Sequence, residues 1–160
     1  MAVPDLRPGA EFLDTARLIQ EHERRRLAAL LTGPHELELV GGSSLPGALT
    51  KGDVDLHLRV PGAAFPATVD ALRAVYVVVH PEIWQATLAT FAVEHTSLPT
   101  GVAVTPAGSE HDVRFTRTWQ RLAAEPALVT AYNELKVRHR DDPAEYERRK
   151  SAFFDSLQDG

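Results

Sequence analysis

Over residues 53–60 the order Asp-Val-Asp-Leu-His-Leu-Arg-Val alternates polar and apolar residues without a break. Successive side chains of a β-strand point to opposite faces, so Val54, Leu56, Leu58 and Val60 share one face and Asp53, Asp55, His57 and Arg59 the other. The pattern predicts a strand with one face in a core and the other wet, and such a strand needs a sheet beside it. Further strands are expected over 36–41, 87–94 and 101–105, each bounded by turn residues. Helical spacing joins Phe12, Leu13, Ala16, Ile19, Leu27, Leu30 and Leu31 over 10–32, broken only around Glu23 and stopped by Gly33-Pro34. A second helix is expected over 65–76, although its tail, Tyr76 to Val79, fits an extended segment equally well. Ser109 with Asp112 has the form of a helix cap opening a helix through Ala124, and Pro126 and Pro143 open two more, the last capped by Asp142. Strands and helices in this order predict an α/β (α+β) class: a mixed sheet flanked by helices, with C-terminal helices gathered at one end. With 160 residues, 44% of them hydrophobic, and no repeat or linker, one domain spanning 1–160 is expected.

Composition narrows the function. The 17 basic residues are outnumbered by 22 acidic ones, for a net charge of −5, which disfavours non-specific DNA binding or coating of an anionic membrane. There is no cysteine, so thiolate metal sites, disulfides and cysteine nucleophiles are excluded. The opening MAVPDLRPGAEF has an early acid and no apolar run, and no span of membrane length follows, so a cytoplasmic protein is expected. Only Lys51, Lys136 and Lys150 among the basic residues are lysines, the rest being arginines. An ammonium is a compact point charge where guanidinium is a planar fork, so each lysine merits inspection. The run Arg24-Arg25-Arg26 reads instead as a solvated helix face.

Asp53 and Asp55, two apart on a strand, put their carboxylates on one side about 7 Å apart at the backbone, given ~3.3 Å per residue. Aspartate is disfavoured in strands, and such a pair can hold divalent metal for in-line phosphoryl transfer. Upstream, Gly41-Gly42-Ser43-Ser44 follows a strand with residues that let backbone approach a ligand closely and add hydroxyl donors, a combination suited to phosphate. A strand, Gly-Gly-Ser, about ten residues and Asp-x-Asp together resemble the nucleotidyltransferase superfamily related to polymerase beta.

The longer run Gly41-Gly42-Ser43-Ser44-Leu45-Pro46-Gly47, with Lys51 and then Asp55-Leu56, resembles the GrpB family, whose pattern reads G-S-T-S-V-P-G-L and then K-P-I-I-D-I. Pro126 to Leu128, Tyr132 with Leu135-Lys136, and Tyr146 with Lys150 are similar to that family's H-P-x-L, Y-x-x-L-K and Y-x-x-x-K stretches. The resemblance runs from about 40 to 157 and is weak between 62 and 107. It implies a minimal nucleotidyltransferase fold, usually of unknown substrate. Two positions depart from the family. Asp53 adds a second carboxylate where the family commonly has an aliphatic residue, and Thr118-Trp119-Gln120 replaces its F-R-D segment. No G-x-x-x-x-G-K-[ST] loop is present, so the dephospho-coenzyme A kinase label of some relatives is not carried over.

The site expected from these readings binds a nucleoside triphosphate with Mg²⁺ (or Mn²⁺). Asp53 and Asp55 hold metal; Gly41, Gly42, Ser43 and Ser44 hold phosphate; Lys51, Lys136 and Lys150 offset its charge. Lys136 and Lys150 each stand one helical turn after a tyrosine, although Lys150 also falls in an apolar stripe where a lysine can snorkel. A third carboxylate is expected from Glu94 first and Asp112 second, with His57 an ordinary strand residue beside the pair. Transfer of a nucleoside monophosphate to a hydroxyl of an unknown acceptor is one reading. An inactive nucleotide-binding module and a metal-dependent phosphohydrolase are the others.

Overall fold

The structure is a computed structural model, and it describes residues 5–158. The first four residues of the stretch weighed against a leader lie outside that range. Strand β1 (Arg7–Pro8) leads through a short turn to helix α1 (Leu13–Leu30), followed by β2 (Glu36–Val40), β3 (Leu49–Thr50) and β4 (Val54–Val60). Helix α2 (Phe65–Leu72), strands β5 (Val77–Val78), β6 (Ala89–Val93) and β7 (Thr100–Pro106), and helices α3 (Glu110–Ala124), α4 (Pro126–Arg138) and α5 (Pro143–Ser156) complete the order. Five strands form a mixed sheet in the order β2-β4-β7-β6-β5, parallel only between β4 and β7, while β1 and β3 pair separately. The expected α/β class with C-terminal helices is what is observed. Among the described residues no helix is long and apolar enough to cross a membrane.

Two apolar clusters follow from the sequence periodicities. Val54, Leu56, Leu58 and Val60 of β4 pack with Val102, Val104, Phe91 and Val93 against Ala16, Ile19 and Leu27 of α1 and Phe65, Val69 and Leu72 of α2. A smaller cluster, Leu45, Ala48, Leu122, Tyr132 and Leu157, joins the loop after β2 to α3, α4 and α5. The break in the α1 stripe at Glu23 is no exposed gap. Its side chain is fully buried, accepting from Tyr76 Oη at 2.7 Å and Arg26 Nη1 at 2.9 Å. The ambiguous tail of α2 resolves as extended, its helix stopping at Leu72 and Val77–Val78 pairing with β6 as an edge strand.

The expected wet face of β4 needs correction. Helix α3 lies over its middle, so His57 is 1% exposed and Asp112 1% exposed. His57 Nε2 sits 2.7 Å from Thr105 Oγ1, with the Phe115 ring edge-on at 5.4 Å. Arg59 donates to Asp112 through Nε at 2.6 Å and Nη2 at 2.9 Å, and the Gly108 amide donates to the same carboxylate at 2.7 Å. Strict polar alternation therefore marks a buried hydrogen-bonded network here, and only the Asp53/Asp55 end of the face remains open. Burial drives His57 down to about 4, outweighing the attraction of Asp112, with Arg59 adding repulsion. For Asp112 burial alone would raise the carboxyl; the Arg59 and Gly108 bonds prevail and hold it below its ordinary value.

Candidate metal and phosphate site

The loop after β2 and the start of β4 form the floor. Gly41 has φ +77° and ψ −177°, a conformation open essentially to glycine alone. A Cβ there would stand 2.2 Å from Asp55 Oδ2, so the carboxylate occupies the space a side chain would take. Residues Gly42–Ser44 then make one 3-10 turn. Both serine hydroxyls are committed to backbone. Ser43 Oγ donates to the Asp53 carbonyl at 2.6 Å, fixing the loop to the start of β4, and Ser44 Oγ donates to the Gly41 carbonyl at 2.6 Å. The hydroxyl protons thus hold the shape of the loop, and what it leaves for any ligand is backbone.

Asp55 pairs in register with Val40 of β2 and Gly101 of β7. Solvent reaches its carboxylate from the open side, yet protein crowds the others. That desolvation, together with the charge of Asp53, pushes its carboxyl up to about 6 against the pull of Lys150, Lys136 and Lys51. The charges of all three lysines of the sequence act on this one carboxylate. Lys51 Nζ is 4.0 Å from Asp53 Oδ2. Lys136 Nζ lies 4.1 Å from the Tyr132 ring centroid and donates to the Leu49 carbonyl. Lys150 Nζ lies 5.2 Å from the Tyr146 ring centroid and 3.1 Å from Glu147. Burial, then repulsion from Lys150 and Lys51, lowers Lys136 to about 8 despite the attraction of Asp55.

The tyrosine–lysine spacing on α4 and α5 is what forms this wall. Each tyrosine lies under the ammonium one turn on, and Tyr132 Oη and Tyr146 Oη approach to 3.5 Å. Asn133, which no sequence pattern singles out, ties α4 to the floor. Its Oδ1 accepts from Leu49 N at 2.8 Å and its Nδ2 donates to the Gly47 carbonyl at 2.9 Å. No local signal marks such a residue, because its partners lie more than 80 positions away.

The residues considered for a third carboxylate stand elsewhere. Glu94 follows β6, two strands from β4, with its side chain 65% exposed and 3.9 Å from His95. Asp112 is held by Arg59 beneath α3. Among the described residues no three acids or histidines gather as a metal cluster. Two carboxylates on one open strand face still suit one hard divalent ion, since Mg²⁺ is commonly bound by one or two carboxylates plus substrate phosphates. A separate cavity of about 730 Å³, bordered by Leu6, Leu49, Val137, Arg140 and Asp141, contains neither aspartate.

Residues 16–159 match the GrpB protein family. A UPF0157 protein of Vibrio cholerae is 30% identical over 132 residues, covering 82% of this chain and 69% of that one. The crystal structure of a conserved GrpB protein from Enterococcus faecalis superposes with a TM-score of 0.69 at 19% identity over 90% of each chain. The Cid1 poly(U) polymerase in its MgGTP-bound form superposes with a TM-score of 0.56 at 13% identity, over 84% of this chain and 43% of that one. The last likeness establishes a nucleotidyltransferase-like fold.

Proposed function

Because this chain belongs to the GrpB family, we propose that it binds a nucleoside triphosphate as its Mg²⁺ or Mn²⁺ complex between the Gly41–Ser44 loop, the Asp53/Asp55 pair and the lysines of α4 and α5. The observation that carries this reading is the placing of the chain's three lysines around the loop and the pair: Lys51 Nζ 4.0 Å from Asp53, Lys136 Nζ 3.3 Å from where a Cβ on Gly42 would stand, and Lys150 close enough for its charge to act on Asp55. Asp53 and Asp55 hold the metal, backbone of Gly41, Gly42, Ser43 and Ser44 meets the phosphate chain, and the three ammonium groups offset its charge. A fold neighbour that holds MgGTP supports the choice of ligand. Thermal-shift measurements with the four common triphosphates, with and without Mg²⁺, test it. A ligand at a hundred times its Kd should add about 2.7 kcal/mol to stability. The Mg²⁺-dependent part should vanish in the Asp53→Asn/Asp55→Asn variant, and its survival there would refute the metal assignment.

Transfer of the nucleoside monophosphate to a hydroxyl is a second reading, favoured by the paired aspartates, which the superfamily's catalysts share. Positioning and electrostatics suffice for that chemistry and no covalent residue is needed. Glu94, two strands from the pair and exposed, stands too far off to serve it as a third acid, so this reading rests on Asp53 and Asp55. Glu94→Gln should therefore change neither nucleotide affinity nor pyrophosphate release, and a selective loss of release would return Glu94 to the site. No release by wild type with any triphosphate across a broad acceptor panel would leave the binding reading alone.

A further inference from the structure

The open end of the β4 face carries fewer acids, and more ammonium groups, than a site for two divalent ions requires. On β7, beside β4, the residues opposite Asp55 and His57 are Gly101 and Ala103, and on β6 Ala92 lies opposite Gly101. No acid projects from these positions; on β2, the other neighbour, Val40 lies opposite Asp55, and Glu38 comes one pair further along, opposite His57. The charges around Asp55 instead include Lys51, Lys136 and Lys150, with Glu147 bonded to Lys150 at 3.1 Å. Two carboxylates, Asp53 and Asp55, thus stand among three ammonium groups, one of them also bonded to Glu147, so the negative charge at the pair is already largely compensated before any cation arrives. Paired divalent ions are drawn by uncompensated negative charge and clamp the two oxygens of a displacement. Here a second ion would enter against ammonium groups already fixed in place. Lys136 is also held rigidly, lying over the Tyr132 ring and donating to the Leu49 carbonyl, with its Nζ only 3.3 Å from where a Cβ on Gly42 would stand. Its charge is thus set against the loop itself.

We propose that the ammonium groups of Lys136 and Lys150 take the place of a second divalent ion, so that the site captures a phosphate chain with one metal ion and still captures it with none. The inference rests on the reading of this site as a triphosphate site, and it specifies what that site recognises: the polyanion first, the metal second.

Calorimetric titration of the full chain with inorganic tripolyphosphate, in EDTA and in Mg²⁺, gives the test. Binding should persist in EDTA, and Lys136→Met and Lys150→Met, which keep the apolar stems, should each weaken it by about 10- to 100-fold, the loss of a hydrogen bond to a charged group. Asp53→Asn should strengthen metal-free binding, because it removes negative charge from the anion's neighbourhood. Crystals grown with Mn²⁺ and a non-hydrolysable triphosphate should show one anomalous manganese peak at the aspartates. Absence of binding in EDTA, weaker metal-free binding in Asp53→Asn, or two manganese peaks would each overturn the proposal. The broader reading fails separately: if tripolyphosphate binds in EDTA but no nucleoside triphosphate binds under any condition, this inference stands and the nucleotide assignment falls.

Discussion

Replacing Gly41 by alanine tests whether the loop and the aspartate are one unit. Two penalties arise from the geometry. With φ +77° and ψ −177°, an L-residue at this position carries backbone strain of about 1–3 kcal/mol. The new Cβ would also lie 2.2 Å from Asp55 Oδ2 and 2.9 Å from its Cγ, so the carboxylate must swing aside, at about 0.5–1.5 kcal/mol for a displaced rotamer. Reduced unfolded-chain entropy returns about 0.4–1 kcal/mol. The net expectation is a loss of about 0.5–4 kcal/mol, centred near 2, read as the shift in urea midpoint at constant m-value. Adding Asp55→Ala removes the clash with Oδ2 and Cγ but leaves the backbone strain, so the double variant should cost less than the two single changes combined. Manganese affinity should fall in Gly41→Ala, because Asp55 no longer points where Asp53 does. A loss below about 0.5 kcal/mol with unchanged manganese binding would show that the loop accommodates a side chain and that Gly41 does not position Asp55.

Three further outcomes follow from the same sheet face, two from its buried half and one from its open end. Asp112→Asn should destabilise by about 2–4 kcal/mol, somewhat below the full cost of breaking a buried pair because Glu36 still holds Arg59 at 2.9 Å; nucleotide affinity in the folded fraction should not change, and a specific loss of it would return Asp112 to the metal site. Acid should act through His57, whose proton is taken near 6.5 when unfolded and only near 4 when folded, so stability falls as pH drops through that window. Asp55, raised to about 6, works in the opposite sense: its contribution is present below the unfolded value of 3.8 and is lost as pH rises through 6. In urea titrations His57→Gln should therefore flatten the acid limb, whereas Asp55→Asn should steepen it and stabilise the protein at pH 7; identical profiles for all three proteins would refute both assignments.

The elements were legible wherever one local rule sufficed. Eight alternating residues gave β4, Ser109 accepts from the Asp112 amide at 3.4 Å as its capping pattern required, and the prolines opened α4 and α5. The lysines and the Asp-x-Asp pair were legible as unusual residue choices, and they meet in space. What alternation could not say is what covers the polar face. A period of two is the same for a face in water and for one whose His57, Arg59, Thr105 and Asp112 satisfy one another beneath a helix formed about 50 residues later. Glu23 misled for a related reason, since a carboxylate in an apolar stripe looks like a break until Tyr76 is found against it. The serine hydroxyls looked free for phosphate because their acceptors are backbone carbonyls, which no sequence displays.

The tether between α4 and the loop carrying Lys51 also determines when the site can exist. Asn133 and Lys136 reach back 84 to 87 positions to Gly47 and Leu49, and Tyr146 and Lys150 complete the wall from the last helix. Closing so long a loop is entropically costly and is compensated only after α4 has docked. A chain still emerging from the ribosome can therefore order β4 and both aspartates while the lysines of α4 and α5 are not yet beside them, and the charge balance around Asp55 is set only once both helices have docked.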